Sequence, residues 1–293
     1  MLWGTMTAIV TPFSNGQVDV DTFRNLVERQ IAAGIHGLVV CGTTGEAANL
    51  TIEEQLLCVR HAVEQAKGRV PIIAGTGTNN SRVTMELTRK AAALRVDGVL
   101  VVTPYYIKPT QAGLISHFEK VAEIGPPVVA YNVPGRTGVS LTAESVAALA
   151  RIKNVVALKE ASADLKLNGM MVREASDDLA ILSGDDFTYL PQLAIGGSGC
   201  ISVVSNVAPA DMVELTNRWR AGDVAFAREI HLRLLPLMEA LFCESNPIPV
   251  KAAMALMGLM SPEVRPPLTK LSAHLEAPLR QAMRASGVLE DGS

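Results

Sequence analysis

Aromatic side chains are scarce in this sequence, at 4% of 293 residues with two tryptophans and four tyrosines. With so few tyrosines, the fall of Tyr105, Tyr106 and Tyr131 at or just after the ends of apolar runs becomes informative. Cysteine is equally sparse: Cys41, Cys58, Cys200 and Cys243 lie far apart with no C-x-x-C spacing. That argues against a disulfide framework and against a zinc site, and it leaves the thiols as small buried hydrophobes. His36, His61, His117, His231 and His274 stand apart from carboxylates at metal-ligand spacing, so no metal centre is expected. Charged residues make up 19% and the net charge is -3, with no Lys/Arg run able to track a phosphate backbone, so nucleic acid is not an expected partner. No segment approaches ~18 continuous apolar residues, and Met1-Leu2-Trp3-Gly4-Thr5 has no basic stretch leading into an apolar one. Neither a membrane span nor a leader is expected, and the expected location is the cytoplasm.

What the chain does have is apolar material, 48% of its residues, enough for a large core. Much of it lies in eight short runs: Met6–Val10, Gly37–Val40, Ile72–Ala74, Val99–Val102, Val128–Tyr131, Val155–Leu158, Leu179–Leu182 and Cys200–Val204. Each run is continuously apolar and not alternating, as a parallel strand buried on both faces requires. Helical spacing fills the gaps, as in Phe23, Leu26, Val27 and Ile31, which stop at Gly34. Thr51-Ile52-Glu53-Glu54 has the form of a capping box. Strand and helix alternating eight times predict an α/β fold, a (β/α)8 TIM barrel, which at about 250 residues is one domain. An open doubly wound sheet is disfavoured because Gly75-Thr76-Gly77-Thr78 lacks the third glycine of a dinucleotide fingerprint. Strand signals stop near residue 222. Residues 1–222 are thus expected to form the barrel and 223–293 a small C-terminal helical extension, with helices over Asp223–Cys243, Pro247–Met257 and Leu271–Ala285.

A barrel of this kind gathers its chemistry at the C-terminal strand ends. Those ends are polar here: Cys41-Gly42-Thr43-Thr44-Gly45-Glu46, Thr103-Pro104-Tyr105-Tyr106, Tyr131 to Gly138, Lys159-Glu160-Ala161-Ser162 and Ser183-Gly184-Asp185-Asp186. Lys159 closes an apolar run where a strand leaves the core, which is unusual for a residue that normally sits in solvent. An ordinary lysine attacks a carbonyl poorly because it is charged at pH 7, a deficit of about 4 to 5 kcal/mol that desolvation can offset. Imine chemistry also moves protons, and Thr43, Tyr106 and Tyr131 offer hydroxyls for a relay. The turn Thr43-Thr44-Gly45 offers successive N–H groups and hydroxyls to a carboxylate, or is an ordinary glycine turn. Arg136 offers a planar fork to a second carboxylate, or is a solvated loop residue. Gly196-Gly197-Ser198-Gly199 near the last strand also suggests a phosphate-binding barrel.

These residues resemble a known family. Gly42-Thr43-Thr44-Gly45-Glu46, Tyr131-Asn132-Val133-Pro134-Gly135-Arg136-Thr137-Gly138 and Lys159-Glu160-Ala161, with Ser183 to Asp186 and Asn246-Pro247-Ile248-Pro249-Val250-Lys251, look like the signatures of the pyruvate-dependent class I aldolases. That family includes dihydrodipicolinate synthases and N-acetylneuraminate lyases. The resemblance covers essentially the whole chain and implies that Lys159 forms an imine with pyruvate, that Tyr131, Thr43 and Tyr106 relay protons, and that Thr44 helps hold the pyruvate carboxylate. Gly184 and Ile201 would line the lysine. It further implies a homotetramer in which Tyr106 serves a neighbouring subunit, and it implies no metal or organic cofactor. Arg136 matches the residue that in the synthase branch holds L-aspartate 4-semialdehyde, and it sets the expected reaction as pyruvate plus that aldehyde, in the diaminopimelate route to L-lysine. The other readings are a lyase of N-acetylneuraminate, an aldolase of 2-keto-3-deoxy sugar acids, or a barrel that binds without catalysis; the resemblance makes the glycine run at 196–199 structural and not a phosphate site.

The resemblance also implies a feedback site for L-lysine in which polar or histidine residues are common where this chain has Ala47, Ile52, Gln55 and Val83, although Asn79 and Tyr105 remain; Ile107 also stands where an asparagine is common. Ile52 and Val83 leave a cationic ligand without partners. Inhibition by L-lysine is expected to be weak or absent, and a sharp inhibition curve at sub-millimolar lysine would contradict this.

Overall fold

The computed structural model describes residues 2–175 and 179–289. Met1 of the opening segment and residues 290–293 of the expected helical extension lie outside the described residues. Eight parallel strands close into a barrel: β1 (Gly4–Ala8), β2 (Gly37–Val40), β3 (Ile72–Gly75), β4 (Gly98–Val102), β5 (Val128–Asn132), β6 (Val155–Glu160), β7 (Ala180–Ser183) and β8 (Gly199–Ser202). They follow one another around the barrel in chain order, with β8 beside β1. Every residue of β1, β2 and β5 is buried, which is why these strands lack the charged alternation of a half-exposed sheet.

Helices α1 (Val20–Ala32), α2 (Ile52–Ala66), α3 (Ser81–Ala93), α4 (Gln111–Ala122), α5 (Pro134–Thr137), α6 (Ala143–Leu149), α7 (Leu165–Glu174), α8 (Tyr189–Ala194) and α9 (Pro209–Arg220) alternate with the strands. Beyond β8 no strand occurs among the described residues, and α10 (Val224–Ala240), α11 (Ile248–Leu256) and α12 (Ala273–Ala285) follow. Thr51 caps α2 as its spacing predicts: its Oγ1 accepts from the Glu54 N–H at 3.2 Å while Glu54 Oε2 accepts from the Thr51 N–H at 2.9 Å. The chain leaves α1 through Gly34 at φ 80°. Among the described residues no helix is long and apolar enough to cross a membrane.

By contact the chain forms two compact units, Met1–Gly4 with Pro71–Ile201 and Thr5–Val70 with Ser202–Ser293. In the first, the backbone of Gly4 runs so close to Gly199 that a Cβ there would lie 2.2 Å from the Gly4 carbonyl oxygen. Strand contact accounts for that glycine of the 196–199 run. In the second, Asn206 explains two boundaries that the apolar pattern misplaces. β1 stops at Ala8 and not at Val10, because Asn206 Nδ2 donates to the Ala8 carbonyl at 2.9 Å and its Oδ1 accepts from the Val10 N–H at 3.2 Å. β8 stops at Ser202 because the chain turns over Val204–Asn206 to deliver that side chain. A small antiparallel hairpin, Phe13–Ser14 with Gln17–Val18, turns through Asn15 and Gly16 at φ 52° and 78°. Asn-Gly suits the left-handed pair of such a turn.

His117 on α4 is 3% exposed, and its Nδ1 lies 2.8 Å from Ser81 Oγ at the start of α3. Burial, with a smaller push from Lys120, lowers its pKa from 6.5 to about 4. A histidine whose folded pKa is depressed contributes stability that is complete above its unfolded value and is lost as pH falls towards the folded one. Between pH 6.5 and pH 4 the shift corresponds to a loss on the order of 3 kcal/mol. Urea midpoints for wild type and His117→Asn should therefore diverge least at pH 5 and most at pH 8, and parallel curves would remove this role for His117.

Candidate active site

The ladder between β5 and β6 is not uniform. Val128 pairs with Val155, Val156 is passed over, and Val129 pairs with Ala157, after which Tyr131 stands opposite Lys159 and Asn132 opposite Glu160. Counting on from Val128 and Val155 without the skip would set Tyr131 against Leu158. One residue of slip turns every later side chain to the other face. The bulge thus brings Tyr131 and Lys159 to the same face at the C-terminal ends of their strands.

Lys159 is 6% exposed, and its Nζ lies 4.2 Å from the centre of the Tyr131 ring. Gly184, just past β7, keeps the space beside it open: a Cβ at 184 would lie 2.9 Å from Lys159 Cε and 2.7 Å from the Ala161 Cβ. The Gly184 N–H donates to the Glu160 carbonyl at 2.7 Å, which holds the glycine against the lysine strand. Ile201 is buried on β8 of the same compact unit. This unit therefore gathers Lys159, Tyr131 and Gly184.

The opposite face of the same strand pair holds two polar residues for which the spacing of the sequence offers no role. Asn132 and Glu160 are both buried, and Asn132 Nδ2 donates to Glu160 Oε2 at 2.7 Å. Glu160 Oε1 accepts from the Ser162 N–H at 2.6 Å, and Asn132 Oδ1 accepts from the Leu141 N–H at 2.9 Å. Burial pushes the Glu160 pKa up, against the hydrogen bonds from Ser162 and Asn132 that pull it down. The clamp ties the ends of β5 and β6 together directly behind Tyr131 and Lys159. The only sequence signal for it is that each residue follows one of those two.

Arg136 lies exposed in the short helix α5, in the segment that follows β5. The neighbouring Thr137 carbonyl accepts from the Tyr106 N–H at 3.3 Å. Tyr106 has φ 71° and is 86% exposed, so its ring packs against little of its own chain, and Ile107 beside it is 59% exposed. The structure leaves Tyr106 outside the buried group formed by Lys159 and Tyr131.

Thr43 and Thr44 belong to the other compact unit, in the turn after β2. Thr43 is half-buried and its carbonyl accepts from the Glu46 N–H at 3.0 Å. Thr44 is buried, and its Oγ1 accepts from Asn246 Nδ2 at 2.9 Å. With Asn246 as donor, the Thr44 hydroxyl proton is left to be given to another acceptor. Among the described residues no group of three or more His, Cys, Asp or Glu side chains gathers to hold a metal ion.

Residues 1–286 match the dihydrodipicolinate synthetase family. The chain belongs to that family. It is 50% identical over 291 residues to the 4-hydroxy-tetrahydrodipicolinate synthase of Syntrophobacter fumaroxidans, covering 99% of this chain and 100% of that one. Among solved structures, the dihydrodipicolinate synthase of Thermotoga maritima is 44% identical with a TM-score of 0.96, covering 99% of this chain and 100% of that one. The chloride-inhibited enzyme of Acinetobacter baumannii, solved with pyruvate, is 41% identical with a TM-score of 0.96 over 99% and 100% of the two chains.

In this member of the dihydrodipicolinate synthetase family the Asn132–Glu160 clamp can be tested by charge. Asn132→Asp would set two carboxylates 2.7 Å apart in a buried place, where they must share a proton. Sharing raises a folded pKa above its unfolded value, so the pair's stability is present at low pH and is lost as pH rises through the raised value. The variant should lie close to wild type at pH 4 and fall about 3 kcal/mol or more below it at pH 8 in urea unfolding. A pH-independent difference would mean that the two side chains do not face each other.

Proposed function

We propose that this chain joins pyruvate to L-aspartate 4-semialdehyde, giving 4-hydroxy-tetrahydrodipicolinate in the diaminopimelate route to L-lysine, through an imine on Lys159. The observation that carries the reading is the buried Lys159 amine beside the Tyr131 ring, with Gly184 leaving it room. The names of the relatives and the pyruvate held by the Acinetobacter enzyme support the choice of substrates.

In this reading Lys159 Nζ adds to the carbonyl carbon of pyruvate, and the carbinolamine loses water to leave an iminium. The positive nitrogen acidifies the adjacent methyl group, and loss of a proton there gives an enamine. The enamine carbon then attacks the aldehyde carbon of the second substrate, and the new alkoxide takes up a proton. The amino group of that substrate displaces the lysine from the iminium carbon, closes the ring and frees Lys159. Each step moves a proton, which a phenol placed against the nitrogen can give or take. Tyr131 has that task, with Thr43 and Tyr106 completing the relay. The iminium itself draws off the electrons, so the scheme, that of a class I aldolase among the lyases, calls on no metal or organic cofactor.

Thr44 binds the pyruvate carboxylate through its hydroxyl, and Arg136 takes the carboxylate of the semialdehyde through its fork. Gly184 and Ile201 line the lysine. The exposure of Tyr106 supports its service to the site of a neighbouring subunit in a homotetramer built as a dimer of dimers. Residues 1–222 are the catalytic barrel and 223–293 its helical extension, in an enzyme of the cytoplasm.

Pyruvate consumption should be fastest with L-aspartate 4-semialdehyde when N-acetylmannosamine and glyceraldehyde are offered as alternatives. Arg136→Ala should lower kcat/KM for the semialdehyde by roughly 10- to 100-fold, the worth of a hydrogen bond to a charged group, with the pyruvate KM little changed. Borohydride with pyruvate should tag Lys159 in wild type and not in Gly184→Ala. Preference for a sugar aldehyde moves the chain to another branch of the family, and a tag on any other lysine removes the mechanism.

A further inference from the structure

The run from Asn246 to Lys251 has no part in the chemistry above, apart from the bond of Asn246 to Thr44. Lys251 is nevertheless wholly buried, and so is the Glu46 side chain it meets. Its Nζ donates to Glu46 Oε1 at 2.7 Å and to the Thr11 carbonyl at 2.9 Å, and lies 4.2 Å from the centre of the Phe13 ring. Glu46 Oε2 accepts from the Arg265 N–H at 3.1 Å and from Asn49 Nδ2 at 3.3 Å. Both carboxylate oxygens are thus engaged, by donors from three different segments.

This pair sits on the turn that carries Thr43 and Thr44. Glu46 has φ 55°, which a residue with a side chain seldom adopts, and its N–H closes the turn onto the Thr43 carbonyl at 3.0 Å. Thr11 joins the two: its carbonyl accepts from Lys251, and its hydroxyl donates to the Gly45 carbonyl at 2.7 Å. Desolvating two charges offsets most of their attraction, so a buried ion pair adds little stability over apolar residues of similar volume. What such a pair does supply is direction, because its hydrogen bonds hold only in one arrangement of the segments that bear them.

We infer that Glu46 and Lys251 are positioning residues for substrate, holding the Thr43–Thr44 turn in the shape that receives the pyruvate carboxylate. The inference rests on the role given to that turn under the proposed function. Neither residue touches substrate; both act through the backbone of the turn and through Thr11.

The test is steady-state kinetics of the full chain carrying Glu46→Gln with Lys251→Met, which removes both charges together and leaves no orphaned ion. The pyruvate KM should rise at least about tenfold, as expected when a binding group is displaced by a fraction of an ångström, while the KM for the semialdehyde stays within about twofold. A purely structural pair would only reduce the fraction of active protein, lowering kcat at unchanged KM, and that result overturns the inference. If the double variant does not fold, Glu46→Gln alone keeps an oxygen for Lys251 but turns an NH2 group towards the Arg265 N–H, and the same criterion applies. The two failures are distinguishable. A wild-type protein that borohydride and pyruvate do not tag at Lys159 brings down the proposed function and this inference with it. A tagged wild type whose variants keep the pyruvate KM overturns the positioning role alone.

Discussion

The ladder shift at Val156 is the constraint on which the arrangement of the candidate site depends. In a parallel sheet buried on both faces every N–H and C=O needs a partner, so strands slide only in whole-residue steps. Val128 opposite Val155 and Tyr131 opposite Lys159 can coexist only if one residue is passed over. Val156 is that residue, and it is also the one position of β6 that is less than fully buried. With the shift, Lys159 and Tyr131 share one face and Asn132 and Glu160 share the other. The Lys159–Tyr131 pair and the clamp behind it therefore follow from one irregularity in hydrogen bonding. Gly184 completes the arrangement, since any side chain there would occupy the volume of the Lys159 stem.

The fold was legible because burial on both faces writes strands as continuous apolar runs, and the eight runs read from composition are the eight strands of the barrel. Strand ends were less legible wherever a side chain takes over the ladder. Asn206 bonds to Ala8 and Val10 across 198 and 196 positions of the chain, and no local pattern announces that. The hairpin at Asn15-Gly16 carried a local signal, but its strands are two residues each, too short for periodicity to register. Lys159 and Tyr131 were legible as polar residues closing apolar runs. Glu160, Glu46 and Lys251 carry no such signal, because a buried charge reads like a surface one until its partner is known, and Asn132 has only its place after Tyr131. For Lys251 that partner lies 205 positions away.

Each compact unit carries a buried polar device directly behind the residues given chemical roles, Asn132 with Glu160 in one and Glu46 with Lys251 in the other. Apolar residues of the same volume would avoid the desolvation cost and could serve stability as well. They would leave the backbone free to relax by tenths of an ångström, because dispersion contacts are individually weak and non-directional. A carboxylate held by two or three donors has no such freedom, since each bond weakens steeply with misalignment in a low-dielectric interior. Reaction geometry is sensitive on that same scale of distance. Directional bonds behind the strand end and the turn thus place rigidity where the proposed chemistry would need it, while the face in front is left to Lys159, Tyr131 and the open space at Gly184.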